Sequence, residues 1–144
     1  MMRKDSGFSL LEMMTAIAII GVLCAITTPN LIKWLPKYRV GSAARTVMST
    51  MEYARVNAIK TNTSVTTNFN WDPATVTVVD SNGKTLRIRR LPQDVVFYNL
   101  NLGLSVTFNG HGFSSQSGSL GVENSDGTYY RIIDLTLGGN VSIQ

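Results

Sequence analysis

The chain has 144 residues, enough for one domain of ordinary size, and 13 lysines and arginines against 9 aspartates and glutamates give it a formal net charge of +4. So mild a basic balance is no nucleic-acid signature by itself; a single cysteine excludes a disulfide framework, and because that cysteine lies in an apolar N-terminal run where the single histidine, His111, cannot join it, neither a Cys/His zinc set nor a Cys–His catalytic dyad can be assembled. No fixed-period repeat or low-complexity tract is present, so the chain has to be read element by element.

Arg3 and Lys4 stand ahead of a stretch, 13–32, that carries no charge. As a helix rising 1.5 Å per residue it covers roughly 30 Å, the thickness of a bilayer's hydrocarbon core. Under the positive-inside rule the two leading cations keep the N-terminus in the cytoplasm and send the remainder across the membrane. A secretory signal opens the same way but fits badly here. Its apolar region would be at the long end, the small-x-small triplet Ala16-Ile17-Ala18 lies inside the run, and Glu12 interrupts it. Cys24 is a poor lipoprotein acceptor because bulky Leu23 precedes it, and it reads as a buried apolar thiol, an intermolecular bridge being the minor alternative. Glu12 calls for a partner, since an unpaired carboxylate near the bilayer centre costs about 2 to 3 kcal/mol or more.

Gly7-Phe8-Ser9-Leu10-Leu11-Glu12, with its basic leader and following apolar span, resembles the class III signal of type IV pilins and type II secretion pseudopilins. That resemblance implies that a prepilin peptidase cuts between Gly7 and Phe8 on the cytoplasmic side and methylates Phe8 as the new N-terminus. Glu12 then becomes the fifth residue of the mature chain, and its carboxylate is implied to neutralise the N-terminal ammonium of a neighbouring subunit. The implied partners are the peptidase, other pilins or pseudopilins of a filament, the inner-membrane assembly platform and inner-membrane lipid.

Pro29 and Pro36 each lack an N–H and crowd the carbonyl four residues back, of Ala25 and Ile32, so kinks are expected at both, with Gly21 a weak point upstream. The resemblance implies that 21–29 is the part of the pilin helix that loosens on packing into filaments; the plainer reading is that membrane helices tolerate Gly and Pro. Beyond Pro36, Val40, Ala44, Val47, Met51, Ala54 and Ala58 recur at steps of four and three, one apolar face of a helix. Packing of that face on the chain's own sheet is favoured over a partner-binding seam. Arg45, Ser49, Glu52 and Arg55 lie opposite, the last two spaced for a weak surface pair.

From Thr63 the helical period gives way to short β-branched and aromatic runs, predicting strands at 64–69, 75–79, 85–91, 95–98, 104–108, 119–123, 128–137 and 140–143. Asp80-Ser81-Asn82-Gly83 and Asn124-Ser125-Asp126-Gly127 are hairpin turns in which glycine accepts a positive φ. The expected fold class is α+β: a long, kinked N-terminal helix packed on an antiparallel β-sheet or β-sandwich domain. The expected division is 1–7 leader, 8–32 membrane and filament-core helix, 33–62 amphipathic helix and 63–144 β-rich domain. This order, together with Phe108-Asn109-Gly110-x-Gly112 and Leu135-Thr136-Leu137-Gly138-Gly139-Asn140-Val141, resembles the GspH/FimT branch of the pilin superfamily, whose members are minor pseudopilins of type II secretion and minor pilins of type IV pili.

For an enzyme the inventory is thin. His111 sits in a glycine turn, and Asp72, Asp80, Asp94, Glu123, Asp126 and Asp134 are scattered, several of them in turns. No cofactor or metal is expected: calcium in the Asp80 or Asn124 loop would find one carboxylate per loop, and turn chemistry uses the same residues. The exposed binding candidate is Lys84, Arg87, Arg89 and Arg90, a cationic strip where alternation sends Leu86 and Ile88 to one face and Arg87 and Arg89 to the other. Such a strip suits an anionic ligand or a neighbouring subunit, but a solvated, edge-protecting strand face is the plainer reading. FimT-type minor pilins that bind DNA carry Gly-Arg-x-Arg near the C-terminus, whereas this chain has Gly139-Asn140-Val141-Ser142, which disfavours DNA as a partner. The sequence therefore reads as a minor pilin or pseudopilin subunit, non-enzymatic, anchored in a bacterial inner membrane with its C-terminal domain in the periplasm and then packed into a pseudopilus or pilus. A DNA-binding minor pilin and a major subunit are the alternatives.

Overall fold

The computed structural model describes residues 8–99 and 101–144; the stretch 1–7, expected to be a leader, with Gly7, Arg3 and Lys4, lies outside the described residues. Helix α1 runs from Leu10 to Thr61. Ser9 caps its start: the hydroxyl accepts the Leu11 N–H at 3.2 Å, and the Ser9 carbonyl accepts those of Glu12 and Met13. That puts Glu12 in the first turn, in the Ser-x-x-Glu spacing of a capping box, where a carboxylate is favoured by the positive end of the helix dipole. At the other end Asn62 takes a left-handed φ of 50°. The Thr63 N–H then reaches the Ala58 carbonyl and the Asn62 N–H that of Ile59, a double closure that satisfies carbonyls the helix leaves open. Between these caps the helix is continuous through Gly21, Pro29 and Pro36.

The chain divides between Leu35 and Pro36 into two compact units. In the first, every residue of Leu10–Thr28 is exposed, Cys24 included, which was expected to be buried but has no neighbouring helix in the single chain to cover it, and this stretch is long and apolar enough to cross a membrane. Its threonines satisfy their own hydroxyls: Thr15, Thr27 and Thr28 donate to the carbonyls of Leu11, Leu23 and Cys24 at 2.8, 2.8 and 2.7 Å. A polar group that back-bonds to its own helix costs little in hydrocarbon.

The second unit is a helix on two antiparallel sheets. The strands are β1 Val65–Asn70, β2 Thr75–Asp80, β3 Thr85–Arg90, β4 Val95–Asn99, β5 Ser105–Phe108, β6 Gly118–Asn124, β7 Tyr130–Leu135 and β8 Val141–Ile143. They pair as β3-β2-β1-β5 and β4-β6-β7-β8. Gly83 and Gly127 take φ of 81° and 67° in the two expected hairpin turns. Asp80 Oδ1 accepts the N–H groups of Asn82 and Lys84, and Asn124 Oδ1 that of Tyr129, so the turns use the oxygens a cation would need.

The predicted stripe Val40, Ala44, Val47, Met51, Ala54 and Ala58 is buried throughout and joins one core with inward residues of both sheets. Val65, Phe69, Val76, Val78, Val106 and Phe108 come from the first sheet; Val95, Phe97, Leu120, Val122 and Ile133 come from the second. Each fully buried Val, Met or Phe side chain contributes about 1.5 to 3 kcal/mol. A core of this size explains why the domain needs no disulfide.

Candidate functional site

Three places carry candidate function. The first is the start of α1. Phe8 is exposed, Ser9 caps, and Glu12 is the sole carboxylate of the apolar segment Leu10–Thr28. Phe8, Leu10, Leu11, Met13 and Met14 are exposed around that carboxylate. An apolar surface of this extent on a single helix is stable only against lipid or against other apolar helices.

The second is β3, the edge strand of its sheet. A bulge between Val78 and Val79 leaves Leu86 as the extra residue, so that Val79 faces Thr85 and Val78 faces Arg87. Arg87 and Arg89 then stand opposite the buried Val78 and Val76, on the sheet's inner face, while Ile88, opposite Thr77, is turned outward and 59% exposed. Arg90 pairs with Thr75 on that outer side. The Arg87 guanidinium lies 3.5 Å above the centroid of the Tyr53 ring, a cation–π stack that extends the core's edge with an aliphatic stem and a satisfied charge. The three arginines are thus divided between two faces, one of them is engaged with the helix, and Lys84 lies in the turn ahead of the strand.

The third was not legible as a site. Arg55 is half-buried; its Nε donates to the Gly112 carbonyl at 3.0 Å and its Nη2 to the Gly138 carbonyl at 3.1 Å. The expected Glu52–Arg55 pair is therefore not formed: the guanidinium turns toward two backbone carbonyls, and among the described residues the one ion pair is Arg39 with Asp94. Gly112 and Gly139 have φ of 81° and 76°. A Cβ on Gly139 would lie 2.1 Å from the Gly112 carbonyl oxygen, so glycine is required for the two turns to meet on Arg55. The glycines were visible in the sequence as the two clusters that carry the family resemblance, while Arg55, spaced to pair with Glu52, gave no sign that it would join them.

His111 is exposed in the first of these turns, where Asn109 Oδ1 accepts the backbone N–H groups of His111 and Phe113 at 3.0 Å each. Among the described residues no three of His, Cys, Asp and Glu converge on a point. Asp94 is taken by Arg39, and Asp134 accepts the Ser119 hydroxyl at 2.5 Å.

The fold is shared with the type IV minor pilin FimU of Pseudomonas aeruginosa at 15% identity, TM-score 0.62, over 73% of this chain and 87% of that one. It is shared too with the minor pseudopilin EpsH from the Type 2 Secretion System of Vibrio cholerae at 8% identity, TM-score 0.60, over 74% and 96%. No curated protein sequence matches the chain. Residues 2–28 match the prokaryotic N-terminal methylation motif, and residues 43–139, more than half of the chain and the whole of the Arg55–Gly112–Gly138 cluster, match the family of the Type II transport protein GspH. With that match, and with the helix-on-two-sheets architecture of the minor pilins, the chain belongs to the GspH family of pilin-like subunits.

Proposed function

We propose that the chain is inserted as a precursor, cut by prepilin peptidase between Gly7 and Phe8, methylated on Phe8, and packed through α1 into a type II secretion pseudopilus or a type IV pilus. The observation that carries this is the exposed apolar helix with one carboxylate, Glu12, in its first turn. Cleavage at Gly7 creates the ammonium that a neighbour's Glu12 needs, so the two charges neutralise each other only between subunits. The N-terminus lies in the cytoplasm and the β domain in the periplasm, held in the inner membrane until assembly. Gly21, Pro29 and Pro36 are the points where the helix adjusts to its neighbours, Pro29 and Pro36 because the Ala25 and Ile32 carbonyls lack their usual N–H partners. The work is non-covalent cohesion, with no catalytic step.

The test uses Gly7→Ala and Glu12→Ala in cells that make the filament. Gly7→Ala is expected to leave the precursor uncut. Glu12→Ala is expected to be cut but absent from sheared filaments. Normal cutting of the first variant and normal assembly of the second would overturn the reading.

A further inference from the structure

We infer that the open edge of β3 is a docking site for an extended, acidic segment of another filament subunit; this rests on the assembly proposed above. The chain treats the two edges of sheet β3-β2-β1-β5 differently. Along β5 its own segment 114–116 closes the edge. Phe108 bridges Ser114, the Ser115 N–H donates to the Thr107 carbonyl at 2.8 Å, the Thr107 N–H donates to Ser115 Oγ at 3.2 Å, and Gln116 Nε2 donates to the Ser105 carbonyl at 2.9 Å. Among the described residues no segment pairs with the outer side of β3.

The register decides which backbone groups stay open there. The Leu91 N–H donates to the Ala74 carbonyl at 2.9 Å, so these two stand at a hydrogen-bonded position, and Arg89 with Val76 and Arg87 with Val78 follow at alternate steps. Ile88 and Arg90, at the positions between, turn both their N–H and their C=O away from β2. The bulge at Leu86 precedes this stretch and the stack of Arg87 on Tyr53 holds the strand against α1, so 87–90 is a regular, preformed edge.

Side chains along the edge select the occupant. Ile88 projects an exposed apolar side chain beside the open backbone groups. Lys84, Arg89 and Arg90 are exposed, and none has a carboxylate partner among the described residues; Asp80, across the turn, uses Oδ1 to accept the N–H groups of Asn82 and Lys84. Edge cations alone suffice to keep a second copy away, since β3 against β3 would bring like charges together. They do not explain an exposed isoleucine among them. A strand that carries Asp or Glu satisfies every group: its main chain pairs with Ile88 and Arg90, an apolar side chain covers Ile88, and its carboxylates meet the cations. A DNA strand would meet the cations but leave the backbone groups and Ile88 unused, which favours the peptide.

The test uses the full-length chain in a filament-producing cell. Ile88→Pro removes the outward N–H and leaves the β2–β3 ladder whole, because that N–H takes no part in it. It is expected to hold the detergent-solubilised chain's melting temperature within about 2 °C of the parent, while incorporation into filaments falls roughly tenfold or more. Arg89→Glu with Arg90→Glu is expected to give the same loss by charge repulsion, and it stands as the test if Ile88→Pro lowers the melting temperature. A photo-crosslinking residue at Thr85, exposed at the start of the strand, is expected to map onto a segment of another subunit that bears Asp or Glu. Changing that acid to Lys is expected to restore the Arg89/Arg90 variant. Undiminished incorporation of either folded variant, crosslinks confined to DNA, lipid or a second copy of the chain, or no restoration would overturn the proposal. If Glu12→Ala assembles normally, the assembly reading itself falls. If Glu12→Ala fails to assemble while both β3 variants assemble as the parent does, only the docking edge falls.

Discussion

Arg55 joins two turns that the chain order keeps far apart, and the reason is the chemistry of its fork: Nε and Nη2 project in fixed directions that suit two carbonyls, Gly112 and Gly138, better than one carboxylate. Hydrogen bonds from a charged donor are worth about 1.5 to 3 kcal/mol, and their loss here also strands carbonyls at a packed turn. Arg55→Ala is therefore expected to destabilise the domain by about 2 to 3 kcal/mol, roughly 10 °C in Tm, measured by thermal unfolding of the solubilised chain. Gly139→Ala, which drives a Cβ into the Gly112 carbonyl at a φ of 76°, is expected to cost at least as much. Neither effect was legible beforehand, because a backbone carbonyl has no residue identity and Arg55 sits at ordinary surface spacing from Glu52. The Gly7 to Glu12 motif was legible for the opposite reason: its information lies in contiguous residues at a fixed distance from the N-terminus.

At the level of elements, all eight expected strands exist within a few residues of their expected bounds, since each is a short β-branched or aromatic run between turn residues. The helical stripe was equally plain, its 3.6-residue period being a local property. Partition into two sheets was not, because β1 pairs with β5 across three intervening strands and only packing decides that. The bulge that turns Arg87 toward Tyr53 was hidden in the same way. On the outer face of the β4–β6 pair, Tyr98 lies in register with Gly121 and its ring covers the glycine, so that a Cβ there would be 2.1 Å from it. Burial raises the Tyr98 pKa above the ordinary tyrosine value, helped by the charges of Glu123 and Tyr130. The folded state then keeps a proton that the unfolded chain releases above about pH 10, and stability falls as pH rises beyond that point. Tyr98→Phe is expected to flatten this alkaline decline, as read from denaturant midpoints at a series of pH values between neutral and alkaline.

For the molecule as a whole, the two units divide the problem that a filament subunit must solve. Pro36–Gln144 carries its own apolar core and folds around it, whereas the apolar residues of Leu10–Thr28 are exposed and call for lipid or neighbouring helices. The proposed pairing of Glu12 with a neighbour's N-terminus makes cleavage the switch between those two surroundings. The cut that frees Phe8 is read from the intact mass and N-terminal sequence of the chain recovered from membranes of cells with an active prepilin peptidase. A chain that begins at Phe8 with one added methyl group is expected; one that begins at Met1, or is cut beyond Ala18, would rule out processing at Gly7.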